Sequence, residues 1–319
     1  TMETQGIHHI TALASDPQAN LDFYRGVLGL RLVKRTVNFD APDVYHLYYG
    51  DELGRPGTIL TFFPFPDAAP GKRGTGETSA VAFSVPSGSL EFWLERLSGA
   101  GKEPRAMPNR FGEKLICCDD PDGMRVEMVE DPSVNGKGAW SASPVDAPHA
   151  IRRFHGVTFT HKELDWPARF LTEVMGFASG EHEGARHRFL VGPAEAQARI
   201  DIVVDPALPP ARQSAGSVHH IAWRAKDDDE QLTWRKHLIR AGASPTQVMD
   251  RSYFHSIYFR EPGGVLFEIA TDPPGFATDE AVDSLGTGLM LPPWLESERE
   301  MIERHLPPIS LETPVKDRA

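Results

Sequence analysis

The sequence predicts an α+β fold made of four copies of one βαβββ module. Two observations carry this prediction. Residues 7–37 read as an apolar strand, an amphipathic helix and a second strand, and residues 154–177 repeat that beginning. Residues 79–130 and 217–272 form a second pair of copies, in which a strand and a helix lead to a hairpin whose last strand contains Glu. Similar segments at a fixed spacing are the signature of repeated structural units.

The elements of each copy can be read in order along the chain. Copy one runs IHHITAL, PQANLDFYRGVLG and LRLVKRTV, and copy two runs SAVAFSV, SLEFWLERLSGAG and a hairpin that ends in DPDGMRVEMVED. Copy three begins FHGVTFT and DWPARFLTEVMG, and copy four runs SVHHIAWRA, DEQLTWRKHLIRAG and EPGGVLFEIATD. The helices end at Gly and the last strands follow Gly-containing turns, as helix caps and hairpins require. One unit cannot bury its sheet face alone, so two units side by side are expected to form a curved sheet that can hold a ligand.

Equally spaced residues align the copies. Copies one and three align through Phe23 with Phe170 and Gly29 with Gly176, each pair 147 residues apart. We also match His9 with His155, which are 146 residues apart. Within the second pair, the matched residues are Gly101 with Gly242, Gly123 with Gly264 and Glu127 with Glu268.

The repeats divide the chain into two halves of similar design. We predict a first half at 1–135, a linker at 136–153 that is rich in Pro, Ser, Gly and Ala, and a second half at 154–280. Residues 281–319 contain LPPWLESEREMIERHLPP, which predicts an amphipathic helix that begins at Pro and is followed by a polar tail. Covering a sheet edge is the expected role of this C-terminal helical tail, and a lid over the site is the alternative.

Composition excludes several classes of function. The net charge of −12 argues against a protein that tracks nucleic-acid phosphates, because such a protein needs a basic face. The chain contains no apolar run long enough for a membrane span and no basic segment followed by an apolar one at its beginning. Cys117 and Cys118 are adjacent, so a disulfide between them is not expected. These features predict a cytoplasmic protein without nucleic-acid or membrane partners.

A metal site is indicated by His on first strands and Glu on last strands. Copy four has His220 on its first strand and Glu268 on its last, and either His9 or His155 could complete a set of two His and one carboxylate. Such a set holds one face of a metal and leaves positions open for substrate and O₂. A single His in a strand is usually just packed, and a Glu could pair with Arg, but Glu268 within VLFEIA would be costly to bury without a cation. We read Glu127, whose copy has Ser79 where a His would be needed, as a relic bound to solvent or to Arg.

The segments IHHITAL, YHLYYGDELGRPGT, FHGVTF, VHHIAW and RSYFHSIYFREPGGVLFEIA resemble the vicinal-oxygen-chelate superfamily, which includes glyoxalases, bleomycin-resistance proteins and extradiol dioxygenases. The resemblance is greatest to the branch that cleaves hydroquinone rings, the chlorohydroquinone 1,2-dioxygenases and methylhydroquinone-resistance proteins, and it covers residues 6–275. It implies two vicinal-oxygen-chelate domains with curved mixed sheets and a ring-cleaving Fe(II) dioxygenase of dihydroxybenzenes.

The resemblance also implies roles for individual residues. The metal ligands would be His9, His220 and Glu268, with His155 structural. Fe(II) would be the cofactor, with Mn(II) or Zn(II) acceptable to the same ligands on isolation. Further active-site residues implied by the branch are Tyr258, His219, Arg251, His8 and Thr11.

Two other functions compete with a dioxygenase that takes a small aromatic substrate and O₂. The first is a metal-dependent isomerase or lyase of the glyoxalase type, which would need a second glutamate as base. The second is a protein that sequesters a ligand without turnover, and such proteins usually lose the metal ligands that this chain keeps. The C-terminal helix could pack on its own chain or on a second copy, so the sequence is compatible with a homo-oligomer.

Overall fold

A computed structural model describes residues 2–134, 139–193 and 197–312. The start of the predicted linker, at 136–138, and the end of the predicted tail, at 313–319, lie outside the described residues.

Each copy of the repeat folds as one strand, one helix and three further strands. The elements of module one are β1 (Ile7–Ala14), α1 (Pro17–Leu21), β2 (Arg31–Asn38), β3 (Ala41–Gly50) and β4 (Ile59–Pro64). Those of module two are β5 (Glu77–Val85), α2 (Leu90–Gly99), β6 (Arg105–Ala106), β7 (Leu115–Asp119) and β8 (Arg125–Glu130).

The second half of the chain repeats this order. Module three consists of β9 (Arg153–His161), α3 (Asp165–Arg169), β10 (Ala178–Glu183), β11 (Arg186–Val191) and β12 (Ala198–Val204). Module four consists of β13 (Val218–Ala225), α4 (Asp228–Arg240), β14 (Met249–Asp250), β15 (Phe254–Arg260) and β16 (Leu266–Pro274). The predicted α+β fold of four modules is confirmed.

The helix of module one begins and ends where its sequence requires. The carboxylate of Asp16 accepts hydrogen bonds from the backbone N–H groups of Gln18 and Ala19, and Pro17 occupies the first helical turn. The helix continues as a π-helical segment over Asp22–Val27, and Phe170–Val174 does the same after α3 in module three. Gly29 then turns the chain at φ +74°, and a Cβ there would lie 2.5 Å from the Ser143 hydroxyl.

The strands form two eight-stranded mixed sheets, and each sheet combines one module from each half of the sequence. The first sheet has the order β14-β15-β16-β13-β1-β4-β3-β2, so module four lies beside module one. The second sheet has the order β10-β11-β12-β9-β5-β8-β7-β6, so module three lies beside module two. In each sheet the two modules meet through an antiparallel pair of their first strands. The halves predicted at 1–135 and 154–280 therefore share both sheets.

The last described segment runs along the edge of the first sheet. It contains short 3₁₀ turns at Val282–Ser284 and Glu296–Glu298 and the helix α5 (Arg299–His305). The backbone N–H of Met290 donates to the carbonyl of Arg35 on β2, and the hydroxyl of Tyr45 donates to the carbonyl of Pro307. This segment covers part of the edge strand β2, and covering an edge in this way hinders pairing with other chains.

No helix within the described ranges is both long enough and apolar enough to cross a membrane. Cys117 and Cys118 are free and buried.

Candidate metal centre

Three side chains converge on the concave face of the first sheet, each from a different strand. His9 lies on β1, His220 on β13 and Glu268 on β16, and these three strands are neighbours in the sheet. The Nε2 atoms of His9 and His220 are 3.3 Å apart. The Glu268 carboxylate oxygen Oε2 lies 2.8 Å from His220 Nε2 and 3.3 Å from His9 Nε2. All three residues are buried, and their ligand atoms are close enough together to hold one metal ion.

Sheet pairing decides which histidine joins His220 and Glu268. Because β1 pairs with β13, His9 faces the other two side chains. His155 lies in the second sheet, where it hydrogen-bonds the hydroxyl of Ser84 at 3.0 Å and the carboxylate of Glu113 at 3.0 Å. The sequence had left His9 and His155 as alternatives, and only His9 reaches this cluster.

Both His-His pairs sit at a β-bulge. In the β1–β13 ladder, Ile7 pairs with Trp223 and His9 with Ala222, so His8 is the extra residue on β1. Further along, Thr11 pairs with His220 and Ala12 with Val218, so the extra residue on β13 is His219. A bulge breaks the alternation of side chains and redirects the inserted one.

The redirected histidines hold the rings of the converging ones. His8 Nδ1 lies 2.9 Å from His9 Nδ1, and His219 Nδ1 lies 2.8 Å from His220 Nδ1. The Nδ1 atoms of His9 and His220 are thereby engaged, which turns both Nε2 atoms towards Glu268. Metal-binding histidines are usually oriented by such a hydrogen bond to the second ring nitrogen.

Glu268 is fully buried, and its two oxygens have different surroundings. Oε1 accepts a short hydrogen bond from the hydroxyl of Ser256 on β15, while Oε2 has no conventional hydrogen-bond donor and faces the two imidazoles. Burial opposes ionisation of this carboxyl, but the facing His9 and His220 outweigh it and hold its pKa well below the usual range. Burial also lowers the pKa of His220, which favours the neutral imidazole that binds metals. A carboxylate oxygen and two imidazole nitrogens directed at one point fit a divalent cation.

His9 and His220 line a cavity of about 540 Å³. Thr11, His219, Arg251 and Tyr258 also line it, so four of the five further active-site residues predicted from sequence reach the cavity. The fifth, His8, is buried behind His9 and against the ring of Phe254, at 5.1 Å between ring centres.

Tyr258 and Arg251 form a pair at the wall of the cavity. Arg251 Nε donates to the Tyr258 hydroxyl at 3.2 Å, and the Tyr258 ring lies edge-on to that of His220, with centres 5.6 Å apart. Burial, followed by the charge of Glu268, raises the pKa of Tyr258, so the phenol keeps its proton. Burial, together with the adjacent His220, lowers the pKa of His219 to about 4, so that imidazole is neutral.

Sequence reasoning missed three polar residues of this face: Ser256, Thr61 and His46. Ser256 lies two residues before Tyr258 on β15, and strand alternation places both on the face that holds Glu268, so this signal could have revealed it. Thr61 bonds the hydroxyl of Thr11 at 2.9 Å and also the imidazole of His46 at 2.9 Å. His46 is the only His in YHLYYG, and no repeat marks it.

The second sheet carries the remnant of a similar arrangement, and its register corrects the match between His155 and His9. On β9 the bulged residue is His155, so His155 corresponds to His8, and Gly156 occupies the place of His9. The same register places Ser79 at the position of His219 and Ala80 at that of His220. The spacing of 147 residues that joins Phe23 to Phe170 also joins His8 to His155, in agreement with this register.

Glu127 has the same place in the second sheet as Glu268 in the first, since each pairs with an alanine of the neighbouring parallel strand. Arg110 donates two hydrogen bonds to Glu127, at 2.7 and 2.9 Å. Of the two partners predicted for Glu127, solvent and arginine, the structure has the arginine. An arginine takes the place that a metal would need, and the hollow beside it leaves only about 10 Å³.

The sequence matches the Glyoxalase/Bleomycin resistance protein/Dioxygenase superfamily over residues 6–128 and 153–269. The chain belongs to this superfamily.

Similar proteins span nearly the whole chain. It is 45% identical over 312 residues to "Putative ring-cleaving dioxygenase MhqO" of Bacillus subtilis, covering 97% of this chain and 98% of that protein. It is 35% identical over 308 residues to the chlorohydroquinone/hydroquinone 1,2-dioxygenase of Sphingobium indicum, covering 94% and 95% of the two chains. A crystal structure of a "putative dioxygenase" from Bacillus subtilis superimposes with a TM-score of 0.93 at 44% identity, covering 98% of this chain and 99% of that one. The prediction of an enzyme of the dioxygenase type is confirmed.

Proposed function

We propose that this chain is an Fe(II)-dependent dioxygenase that opens the ring of hydroquinone-like dihydroxybenzenes with O₂. The observation that carries the proposal is the convergence of His9, His220 and Glu268 at one end of a cavity large enough for a small aromatic molecule. The function named for the Sphingobium indicum relative, at 35% identity, supports the choice of hydroquinones as substrate class.

His9, His220 and Glu268 would hold the iron. Bound there, Fe(II) would lower the pKa of a coordinated phenol and offer further positions for O₂. His8 and His219 would keep the two imidazoles in the tautomer that presents Nε2, and Ser256 would fix the carboxylate.

The cavity wall supplies groups that can bond the substrate and balance its charge. Because His220 would donate its Nδ1 proton to Nδ1 of His219, the neutral ring of His219 would carry its own proton on Nε2 and could donate a hydrogen bond to a substrate oxygen. Tyr258 keeps its own proton and therefore acts as a hydrogen-bond donor towards negative charge on the substrate. Arg251, bonded to Tyr258, adds a positive charge at the same wall. Phe39, Phe63 and Phe65 also line the cavity and provide an apolar surface for an aromatic ring.

The glyoxalase-type alternative lacks a base in the right place. Glu127 was the carboxylate that the repeat offered for it, and this residue lies in the second sheet, paired with Arg110. A protein that only sequesters its ligand would not need the complete set of His9, His220 and Glu268, so the dioxygenase is the better proposal.

Oxygen uptake tests the proposal. Protein purified without O₂ and loaded with Fe(II) would be offered methylhydroquinone, chlorohydroquinone and catechol, beside a His220→Ala variant. His155→Ala is the matched control, because it removes a buried histidine from the second sheet. We expect uptake with a hydroquinone that is lost in His220→Ala and kept in His155→Ala. No uptake with any of the three compounds, with iron confirmed bound, would refute the proposal.

A further inference from the structure

His46 is a second polar group in the cavity, separate from the converging ligands. It lies on β3, near the edge of the first sheet, and lines the same cavity as His9 and His220. Its Nε2 bonds the hydroxyl of Thr61 on β4, whose hydroxyl in turn bonds Thr11 on β1, each at 2.9 Å. A line of hydrogen bonds thus crosses three neighbouring strands of the cavity floor.

The ring of His46 is held in one orientation. The imidazole contacts the rings of Tyr48 and Phe63, whose centres lie 4.0 and 4.1 Å from its own. Both aromatic rings are tilted by about 35° from the plane of the imidazole. With Nε2 fixed by Thr61, the other nitrogen, Nδ1, is left available. Throughout 2–134, 139–193 and 197–312, no residue hydrogen-bonds Nδ1 of His46.

This available nitrogen needs a polar partner. Burial lowers the pKa of His46 well below its ordinary value, so the imidazole is neutral and can act as donor or acceptor. A ring nitrogen without a partner, on a residue that lines the cavity, is unfavourable unless water or a ligand satisfies it. Hydroxyl groups both donate and accept, so either tautomer of His46 could bond one.

His46 lies apart from the metal centre both across the sheet and along it. Its strand is two strands away from that of His9, in the order β1-β4-β3, which is about 10 Å at ordinary strand spacing. The neighbouring Leu47 is level with Ala12 through Phe62, so His46 is also displaced along the strands from His9. A substrate held by one hydroxyl at the metal centre could reach towards His46 only with a group at the far end of its ring. Hydroquinones carry their second hydroxyl at that end, whereas catechols carry it next to the first.

We propose that His46 binds the substrate hydroxyl that lies para to the hydroxyl at the metal centre, and so selects hydroquinones over catechols and simple phenols. This inference rests on the proposed function, because it takes the dihydroxybenzene as ligand. The residue acts in binding and specificity, through Nδ1, and Thr61 positions its ring.

Binding without turnover provides the test. Fe(II)-loaded protein would be titrated calorimetrically in the absence of O₂ with hydroquinone and with para-cresol, in which a methyl group replaces the second hydroxyl. The variants are His46→Phe, which keeps an aromatic ring between Tyr48 and Phe63, and His46→Gln, which can still hydrogen-bond. His182→Phe is the matched control, because His182 is exposed on β10 in the second sheet. Thermal melts would confirm that each variant is folded.

We expect His46→Phe to raise the Kd of hydroquinone about fivefold to tenfold, the usual effect of one lost neutral hydrogen bond, and to leave para-cresol within about twofold. His46→Gln should recover part of the loss, and His182→Phe should change neither ligand. With turnover, the ratio of kcat/KM for hydroquinone to that for catechol should fall in His46→Phe.

Equal weakening of both ligands, or unchanged hydroquinone binding, would overturn the role of His46. Failure of the proposed function would look different, because the wild-type chain would then consume no O₂ with any dihydroxybenzene.

Discussion

Metal binding should stabilise the folded chain, and Glu268→Gln should remove most of that stabilisation. A metal that binds only the folded state adds about 4 kcal/mol when its free concentration is a thousandfold above Kd. A chain of 319 residues unfolds with an entropy of about 0.7 kcal/mol/K, so Tm should rise by about 6 °C.

Replacing Glu268 by Gln removes the negative charge to which both Nε2 atoms are directed. Loss of groups that merely orient metal ligands costs about tenfold to a hundredfold in affinity, so loss of a ligand should cost at least about a hundredfold. At the same metal concentration about 1.4 kcal/mol of stabilisation would remain, and the rise in Tm should shrink to about 2 °C or less.

Glu127→Gln is the matched control, because Glu127 has the corresponding place in the second sheet. This variant breaks the paired hydrogen bonds with Arg110, so it should unfold at a lower temperature than the wild type in the absence of metal. Its metal-dependent rise should nevertheless stay near 6 °C, since the first sheet is unchanged.

Differential scanning calorimetry without O₂, with and without Fe(II), would measure all three proteins. A full metal-dependent rise in Glu268→Gln, or its loss in Glu127→Gln, would refute the assignment of the metal to the first sheet.

Three further predictions follow from single side chains. Tyr258→Phe should lower kcat for oxygen uptake about tenfold or more, because the hydrogen bond to the charged substrate and the one from Arg251 are both lost. The metal-dependent rise in Tm should stay, since the metal ligands are unchanged, and an unchanged kcat would contradict this prediction. Lys34→Met should lower the free energy of unfolding in urea by about 3 kcal/mol, because the fully buried ammonium pairs with Asp279 and Glu280; equal urea midpoints would disprove it. Burial raises the pKa of Glu261 to about 7, so the folded chain keeps a proton that the unfolded chain releases near 4.5. As the pH rises from about 4.5 to about 7, the wild type should therefore lose stability relative to Glu261→Gln. A difference in the free energy of unfolding between the two proteins that does not change with pH would contradict this prediction.

Much of the fold could be predicted from the sequence because the modules repeat. Strand and helix patterns recur at a nearly fixed spacing. Glu127 and Glu268 are separated by the same 141 residues as the matched glycines of copies two and four, and this equal spacing identifies the last strands. The burial of a carboxylate in VLFEIA pointed to a cation, and the adjacent His on the first strand of the same copy completed most of the cluster.

The pairing of modules could not be predicted from the residues alone. The first strands of modules one and three have similar patterns, so either could lie beside module four, and contacts between distant parts of the chain decide. The sheet places β1 there, which brings His9 rather than His155 to Glu268.

Bulges were the second limit. Ordinary alternation turns His8 away from the side of His9, but the inserted residue is free to turn, and its Nδ1 meets that of His9. His155 likewise corresponds to His8 and not to His9, as the 147-residue spacing of the two copies also indicates. The position of His46 in the cavity depends on strand neighbours that no local pattern reveals.

The origin of the oxygen atoms in the product tests the central claim most directly. Fe(II)-loaded wild-type protein would be supplied with hydroquinone and isotopically labelled O₂, and the product would be analysed by mass spectrometry. We predict a ring-opened product that carries both labelled oxygen atoms, formed by wild type and not by His220→Ala. A product without label from O₂, or an unopened ring, would contradict a dioxygenase reaction at His9, His220 and Glu268.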